Sequence, residues 1–320
     1  SGSGTVTEYA IECKSLTKNF DGFSAVDNLN LKVRKGEIFG FLGPNGAGKT
    51  TAIRMICGVL SPSTGTAFVD GNDVSKNPEE VKKTIGYMPQ NFSLYGDLTV
   101  HENLDFYGTI YGLSRAQRKQ RIKELLELVK LQDFGNYLAD ELSGGMKNRL
   151  SLTAALLHNP KILILDEPTA GVDPPLRRTF WQFFRELNAK GTTILLTTHY
   201  VDEAENCDRL GLISHGKLIA EGTPTEIVRK VHNGDLVQVT VRNSEQDLRN
   251  ILETTNEVKE ILFFRKIEPH GCLTHFVVED ADSDLPMIQK LLYSNNVDVL
   301  TAGKVPISIE DAFIRLMEES

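Results

Sequence analysis

The most informative motif of this chain is Gly43-Pro44-Asn45-Gly46-Ala47-Gly48-Lys49-Thr50. It satisfies the pattern GxxxxGK[ST], and it lies between a predicted strand, Glu37–Leu42, and a helix predicted to begin at Lys49. In this setting the glycines let the loop curl, so that successive backbone N–H groups at the positive end of the helix point at phosphate oxygens. The stretch therefore predicts a loop that binds the phosphates of a nucleotide.

Two side chains of this loop have distinct expected roles. Lys49 would neutralise the β- and γ-phosphates, and the Thr50 hydroxyl would be a ligand of Mg²⁺. The rest of the predicted nucleotide site consists of the other loop residues and the next residue of the helix: Gly43, Pro44, Asn45, Gly46, Ala47, Gly48 and Thr51.

A second predicted strand supplies two carboxylates. The apolar run Ile162–Leu165 is followed directly by Asp166 and Glu167. Ligands collect at the carboxyl ends of strands in open α/β sheets. We therefore expect Asp166 to hold Mg²⁺ through its water shell, and Glu167 to polarise the attacking water. With the loop, these residues predict an α/β P-loop NTPase, a class that includes kinases, GTPases and helicases.

A third motif narrows this class. The stretch Leu142-Ser143-Gly144-Gly145-Met146 resembles the LSGGQ signature of ATP-binding cassette (ABC) ATPases, and it lies 23 residues before Asp166. The resemblance covers about residues 8–225 and implies ATP as the nucleotide. In this family the signature closes over the ATP held by a second cassette, so one P-loop and one signature imply a dimer, here expected to be a homodimer.

Ser143 and the amides of Gly144 and Gly145 begin a predicted helix, and a helix N-terminus attracts anions. The resemblance therefore adds these three residues to the predicted ATP site. Met146 replaces the usual glutamine of the signature. We expect this change to alter affinity without abolishing catalysis.

Four further positions match the family in order. Gln90 matches the Q-loop glutamine, which senses Mg²⁺ and the attacking water. Asp173 ends the stretch Ala170-Gly171-Val172-Asp173, which resembles the D-loop, and His199 matches the switch histidine that contacts the γ-phosphate. Phe20 occupies the position of the aromatic residue that stacks on adenine, with Phe23 as a second candidate.

The pattern of apolar residues divides the chain into two predicted domains. Residues 8–229 form the α/β cassette, with a largely parallel sheet and an inserted helical subdomain at about 100–158. Residues 230–320 follow the order β-α-β-β-α-β plus a helix, which predicts a small α+β ferredoxin-like domain. It would act as a dimer-stabilising module or a substrate sensor. Its predicted strands and helices are Leu236–Arg242, Ser244–Thr254, Val258–Ile267, Leu273–Val278, Leu285–Tyr293, Val297–Leu300 and Ile309–Met317.

Composition and hydropathy argue against a protein that binds nucleic acid over its whole surface and against a membrane-spanning chain. The chain has 320 residues, with 35 Lys+Arg against 43 Asp+Glu and a net charge of −8. A protein that binds nucleic-acid phosphates over its whole surface needs a positive net charge. No apolar run approaches the roughly 18 residues that a membrane-spanning helix needs. We therefore expect no direct contact with nucleic acid and no membrane span in this sequence.

The type of ABC protein follows from what accompanies the cassette. Translation factors carry two cassettes, chromosome proteins separate P-loop and signature by hundreds of residues, and excision-repair cassettes carry zinc-binding cysteines. Here there is one P-loop, Lys49 and Ser143 are 94 residues apart, and no CxxC pair occurs. These features favour a transporter subunit whose permease subunits are separate chains.

Three stretches resemble the drug-resistance type of ABC-2 exporter ATPases: Phe39–Gly48, the GGM form of the signature, and the closing Ile307–Phe313. The resemblance implies a protein peripheral to the cytoplasmic face of the cell membrane, with its membrane partners docked around Phe92–Leu104. The alternative is a soluble ABC ATPase in a regulatory or nucleic-acid-associated complex without a membrane partner.

Overall fold

The computed structural model describes residues 8–267, 271–305 and 309–319. Ile307 and Ser308, part of the closing stretch quoted above, lie outside the described residues. The chain divides into two compact units, with the division between Thr223 and Pro224. Within the described ranges, no helix combines the length and the apolar character needed to cross a bilayer.

The first unit contains two sheets and six α-helices within the described residues. Its strands are β1 (Tyr9–Phe20), β2 (Phe23–Arg34), β3 (Ile38–Leu42), β4 (Thr64–Val69), β5 (Asn72–Asp73), β6 (Ile85–Met88), β7 (Ile162–Asp166), β8 (Thr193–Thr198), β9 (Arg209–Ser214) and β10 (Lys217–Gly222). Its α-helices are α1 (Lys49–Ile56), α2 (Pro78–Thr84), α3 (Val100–Ile110), α4 (Arg115–Leu128), α5 (Gly144–Leu156) and α6 (Pro174–Ala189). Short 3-10 helices occupy Gln132–Phe134, Ala139–Glu141 and Val201–Asn206.

The larger sheet has the strand order β10-β9-β3-β8-β7-β6. Strands β9, β3, β8, β7 and β6 are parallel, and β10 pairs antiparallel at one edge. Every residue of β3, β7 and β8 is buried, as expected of parallel strands covered on both faces. This order sets the carboxyl ends of β3, β8, β7 and β6 side by side, so the segments that follow these strands meet at one edge of the sheet.

The smaller sheet is antiparallel, with the order β2-β1-β4-β5. The sequence-based prediction of a largely parallel arrangement does not extend to this part of the chain. Strands β1 and β2 are joined by a tight turn at Asp21 and Gly22, where Gly22 has a φ of 74°. A two-residue connection can only join antiparallel strands, because parallel strands need a long crossover.

The helical region lies between β6 and β7 and spans α3 to α5, close to the predicted 100–158. Its helices begin at capping residues. Thr99 and Ser114 form capping boxes with Glu102 and Gln117, and Ser143 accepts a hydrogen bond from the backbone of Met146. These bonds satisfy N–H groups that would otherwise have no partner in the first turn.

The second unit has one antiparallel sheet with helices. Its elements are α7 (Pro224–His232), β11 (Asp235–Val241), α8 (Glu245–Leu252), β12 (Val258–Lys266), β13 (Cys272–Val278), α9 (Ala281–Ser294), β14 (Val299–Lys304) and α10 (Ile309–Glu319). The strand order is β12-β13-β11-β14, and alternate residues of β11, Val237, Val239 and Val241, enter its core. Helix α7 packs against β11 and α10, so the boundary predicted at 229/230 falls within a helix of this unit.

Candidate functional site

The P-loop joins β3 to α1, and two of its glycines lie where no side chain fits. A Cβ atom at Gly43 would lie 2.4 Å from the Ile213 carbonyl oxygen, and one at Gly48 would lie 2.4 Å from the Ala25 carbonyl oxygen. Gly48 also has a φ of 107° and is the N-cap of α1, which has no side-chain cap. The first N–H groups of α1 are therefore left for a ligand to bind, as a phosphate loop requires.

Lys49 is buried and lies against the carbonyl groups of its own loop. Its Nζ donates hydrogen bonds to the oxygens of Gly43 at 2.5 Å and Pro44 at 3.0 Å, and lies 3.7 Å from Oε1 of Glu167. Burial lowers the pKa of Lys49, while the nearby carboxylates of Glu167 and Asp166 act in the opposite direction. The ammonium group is thus fixed between the loop and the carboxylate end of β7.

Asp166, the last residue of β7, has one satisfied and one unsatisfied carboxylate oxygen. Its Oδ1 accepts a hydrogen bond from Thr197 Oγ1 at 2.6 Å, whereas Oδ2 is buried without a hydrogen-bond partner in the described part of the chain. Desolvation raises the pKa of this carboxyl, and the hydrogen bond from Thr197 partly offsets the rise. An orphaned buried carboxylate oxygen is uncommon and is suited to completing the shell of a cation.

The oxygen atoms around Asp166 fit Mg²⁺. The Thr50 hydroxyl donates to Oε1 of Gln90 at 3.3 Å, so a hydroxyl, an amide oxygen and a carboxylate share this region. Hard oxygen ligands are those that Mg²⁺ takes in proteins, together with waters and nucleotide phosphates. Thr50, Gln90 and Asp166 could therefore hold the metal.

Glu167 is the point at which several predicted residues meet. It is buried, with a positive φ of 50°, and its backbone N–H donates to Thr197 Oγ1 at 2.9 Å. Its Oε2 accepts a hydrogen bond from Gln90 Nε2 at 3.2 Å and lies 3.3 Å from Nδ1 of His199. A non-glycine residue with positive φ is uncommon, and such conformations cluster at functional sites.

Gln90 and His199 reach Glu167 from two neighbouring strands of the sheet. Gln90 is exposed and lies two residues after β6, while His199 directly follows β8. Because β6 and β8 flank β7, both side chains converge on the residue that follows β7. The predicted residues Lys49, Thr50, Gln90, Asp166, Glu167 and His199 thus lie together.

The signature lies apart from this cluster. Ser143 and Gly144 are exposed, and a Cβ atom at Gly144 or Gly145 would meet open space. Among the described residues, no hydrogen bond or ion pair joins Ser143 to a P-loop residue. Helix α5 is tied instead to the D-loop, because Asn148 Nδ2 donates to the Ala170 carbonyl at 2.8 Å.

Asp173 and Phe20, two further predicted contact residues, are not joined by hydrogen bonds or ion pairs to the Glu167 cluster within the part of the chain that the structure describes. Asp173 is at the N-cap position of α6 and makes no side-chain capping bond. Phe20 ends β1, pairs with Phe23 across the hairpin, and is 48% exposed, against 60% for Phe23. The same hairpin carries Ala25, whose carbonyl oxygen approaches Gly48. Both aromatic rings are therefore available beside the strand that packs on the P-loop.

Two buried polar residues were missed in the sequence. Asn103 in α3 is fully buried, and its amide accepts from Tyr95 N at 2.9 Å and donates to the Tyr95 and Thr99 carbonyls at 2.8 and 3.0 Å. It thereby fixes the segment that follows the Q-loop glutamine. Glu203, which is 3% exposed, accepts hydrogen bonds from two threonines. Neither belongs to a short motif, and the polar residues near each in the sequence give no indication that it is buried.

Comparisons with known proteins agree with this geometry. The family described as ABC transporter matches residues 26–170. The chain is 46% identical over 241 residues to the probable multidrug ABC transporter ATP-binding protein YbhF of Escherichia coli, covering 75% of this chain but 42% of that protein. The chain thus spans less than half the length of this relative.

Two further similarities extend the comparison. The Nod factor export ATP-binding protein I of Paraburkholderia xenovorans is 36% identical over 313 residues, which is 97% of each chain. The dimeric cassette MJ0796, in a post-hydrolysis state with ADP and Pi, superposes with a TM-score of 0.63 at 28% identity, covering 67% of this chain and 98% of that one. By its motifs, its fold and these relatives, the chain belongs to the ABC transporter family and contains an ATP-binding cassette of that family.

Proposed function

We propose that this protein hydrolyses ATP as the ATP-binding subunit of an ABC-2-like membrane exporter. The observation that carries the proposal is the convergence of Lys49, Gln90 and His199 on the carboxylate of Glu167. The relatives are named for multidrug transport and Nod factor export. Those names favour an exporter subunit over the soluble, regulatory or nucleic-acid-associated ATPase.

In the proposed reaction Glu167 is the general base. Its buried carboxylate, which accepts a hydrogen bond from Gln90 and lies close to His199, would accept a proton from the attacking water. Lys49 would exchange its bonds to loop carbonyls for bonds to the β- and γ-phosphates. Thr50, Gln90 and Asp166 would hold Mg²⁺, which supplies positive charge to the phosphate oxygens when it is bound.

A second copy of the cassette would complete each site. Ser143, Gly144 and Gly145 form an exposed helix N-terminus that makes no hydrogen bond or ion pair to the P-loop within the described residues. Such a surface suits the phosphates of an ATP held by another chain. The dimeric MJ0796 structure supports this arrangement, and Asp173 would contribute from the D-loop. We propose a homodimer with two ATP molecules at its interface.

The proposed contact with a permease lies in the segment Phe92–Leu104 and continues along α3. Tyr95, Phe106 and Ile110 are 48%, 41% and 60% exposed, and Tyr95 and Phe106 meet edge to face with ring centroids 5.3 Å apart. Exposed aromatic and aliphatic side chains of this size are typical of protein interfaces. Binding there would hold the cassette at the cytoplasmic face of the membrane, and Asn103 would transmit movement to the Q-loop.

The proposal is tested by fractionating the native host with tagged chains. We expect the wild-type chain in the membrane fraction, and a polytopic membrane protein to purify with it in detergent. Phe106→Asp should lose both properties and keep ATP binding, whereas the exposed control Val59→Asp should keep all three. Recovery of the wild-type chain only in the soluble fraction would favour the alternative ATPase without a membrane partner.

A further inference from the structure

A buried carboxylate lies beside the candidate site without belonging to any of its motifs. Glu203 is in the 3-10 helix Val201–Asn206, which follows the switch histidine, and is 3% exposed. Acidic side chains are almost never buried to this extent unless they are paired, because desolvation of the charge is costly. The partners of Glu203 therefore indicate what its burial achieves.

One oxygen of this carboxylate joins two segments of the site. Oε2 of Glu203 accepts hydrogen bonds from Thr169 Oγ1 at 2.9 Å and from Thr198 Oγ1 at 3.0 Å. Thr169 directly precedes the D-loop, and Thr198 directly precedes His199. The Thr198 hydroxyl also accepts a hydrogen bond from Tyr200 N at 3.0 Å. The backbone on both sides of His199 is thus tied to the start of the D-loop.

The other oxygen faces the beginning of α6. Oε1 lies 3.7 Å from Arg177 Nη1, and neither atom has a hydrogen-bond partner among the described residues. The guanidinium group of Arg177 lies 4.7 Å from the Tyr200 ring centroid, and Arg177 N donates to the Asp173 carbonyl at 2.9 Å. Glu203 therefore lies against groups that come from both ends of the D-loop.

We propose that Glu203 is a positioning residue for ATP hydrolysis. Through its hydrogen bonds it would make the D-loop and the switch histidine move together. Contact of the second cassette with the D-loop would then set the position of His199 relative to Glu167. Glu203 acts through Thr169 and Thr198 and does not itself touch ATP. This inference rests on the ATPase function proposed above.

A purely structural role makes a different prediction. If Glu203 only stabilised the fold, its removal would lower the melting temperature and the fraction of active protein. The turnover number of the folded molecules and their affinity for ATP would then both stay at the wild-type values or fall in parallel. A positioning role instead separates the two, because the P-loop binds ATP without contacting Glu203 whereas turnover needs the placement of His199.

The first test compares Glu203→Ala and Glu203→Gln with wild type in the full chain. Steady-state phosphate release gives kcat, and binding of a fluorescent ATP analogue gives affinity and the active fraction. We expect Glu203→Ala to lower kcat per active molecule by about 10- to 100-fold, since misplacement of a catalytic group by about 1 Å costs this much. Affinity should change by less than about twofold, well below the tenfold step that 1.4 kcal/mol represents.

Glu203→Gln keeps the volume and one acceptor, so its kcat should be intermediate. The matched control is Glu205→Ala, an exposed residue of the same 3-10 helix, which should keep wild-type kcat. An unchanged kcat in Glu203→Ala, or parallel losses of binding and turnover, would overturn the proposal. Absence of ATP hydrolysis by the wild-type chain would instead contradict the proposed function.

A double-mutant cycle keeps the test decisive if Glu203→Ala folds poorly. Thr198→Val removes one hydroxyl that bonds Glu203 and retains the side-chain shape. Thr198→Val removes the bond that Glu203→Gln weakens by taking the charge from its acceptor, so the losses in kcat of these two variants should not multiply. Losses that multiply within about twofold would show that the two residues act independently, and would overturn the proposal.

Discussion

Nε2 of Gln90 donates a hydrogen bond to Oε2 of Glu167 at 3.2 Å, across a separation of 77 residues in the sequence. The same amide group accepts a hydrogen bond from Thr50 through Oε1 at 3.3 Å. One side chain thus joins the first turn of α1 to the residue that follows β7. Gln90 lies two residues before the segment proposed to meet the permease, so this bond would link that proposed contact to the proposed base.

Replacing the proposed base should separate binding from turnover. We expect Glu167→Gln to bind ATP within about twofold of wild type and to lose hydrolysis by about 10²- to 10⁴-fold, which is the usual contribution of a general base. Phosphate release and equilibrium binding measure the two quantities. Glu205→Gln is the matched control for loss of a carboxylate, and near wild-type hydrolysis by Glu167→Gln would refute the assignment.

Removing the Gln90 amide should weaken the response to Mg²⁺. Gln90→Ala removes one of the three proposed metal ligands and its bonds to Thr50, a second proposed ligand, and to Glu167. Residues that orient metal ligands typically contribute about 10- to 100-fold to affinity or activity. We expect the Mg²⁺ concentration for half-maximal hydrolysis to rise by about tenfold. The exposed Gln132→Ala serves as control, and an unchanged Mg²⁺ titration for Gln90→Ala would argue against this role.

The adenine contact distinguishes two neighbouring aromatic residues. Stacking of a base on an aromatic ring is worth roughly 1–3 kcal/mol. We expect Phe20→Ala to weaken ATP binding by this amount and Phe23→Ala to change it little. Comparison of ATP with a non-adenine nucleoside triphosphate in each variant isolates the stacking contribution. A loss confined to Phe23→Ala would move the contact to that ring.

The burial of Asp166 should destabilise the nucleotide-free protein. Desolvation raises the pKa of this carboxyl in the folded protein above its value in the unfolded chain. At a pH between these two pKa values the folded state binds more protons than the unfolded chain, so the free energy of unfolding falls as the pH rises through this window. Above it, the charged carboxylate is a cost to the fold.

Asp166→Asn removes that charge. With Mg²⁺ chelated, we expect its melting temperature at neutral pH to rise by about 2–4 °C, equivalent to about 1 kcal/mol for a unit of this size. Hydrolysis should be lost. The exposed Asp97→Asn should leave both unchanged, and a lower melting temperature for Asp166→Asn would show that the charge is compensated in the folded state.

Most of the cassette could be predicted because the patterns that define its strands and site residues are short and continuous in the sequence. Strands β3, β7 and β8 are short buried runs, and each is followed within a few residues by the groups it positions. Glu203 could not be predicted in the same way. Its bond to Thr169 spans 34 residues and depends on the order of strands in the sheet, which leaves no period or spacing in the sequence.

Two element predictions differ for identifiable reasons. The long strands β1 and β2 are antiparallel because only two residues join them. In the sequence this short turn is a weaker signal of strand direction than the alternation of strands and helices that follows. Helix α9 begins at Ala281 rather than Leu285, because Asp280 caps it by accepting a hydrogen bond from Asp282 N. Pro286, typical of a first turn, lies instead within the helix.

Each ATP is proposed to be hydrolysed between the P-loop of one chain and the signature of another. Mixing two inactive variants, Lys49→Ala and Ser143→Arg, and measuring phosphate release tests this shared site. A mixed dimer would contain one intact site, with the P-loop from the Ser143→Arg chain and the signature from the Lys49→Ala chain. We predict hydrolysis in the mixture well above the sum of the two separate variants; a mixture no more active than that sum would contradict the shared site.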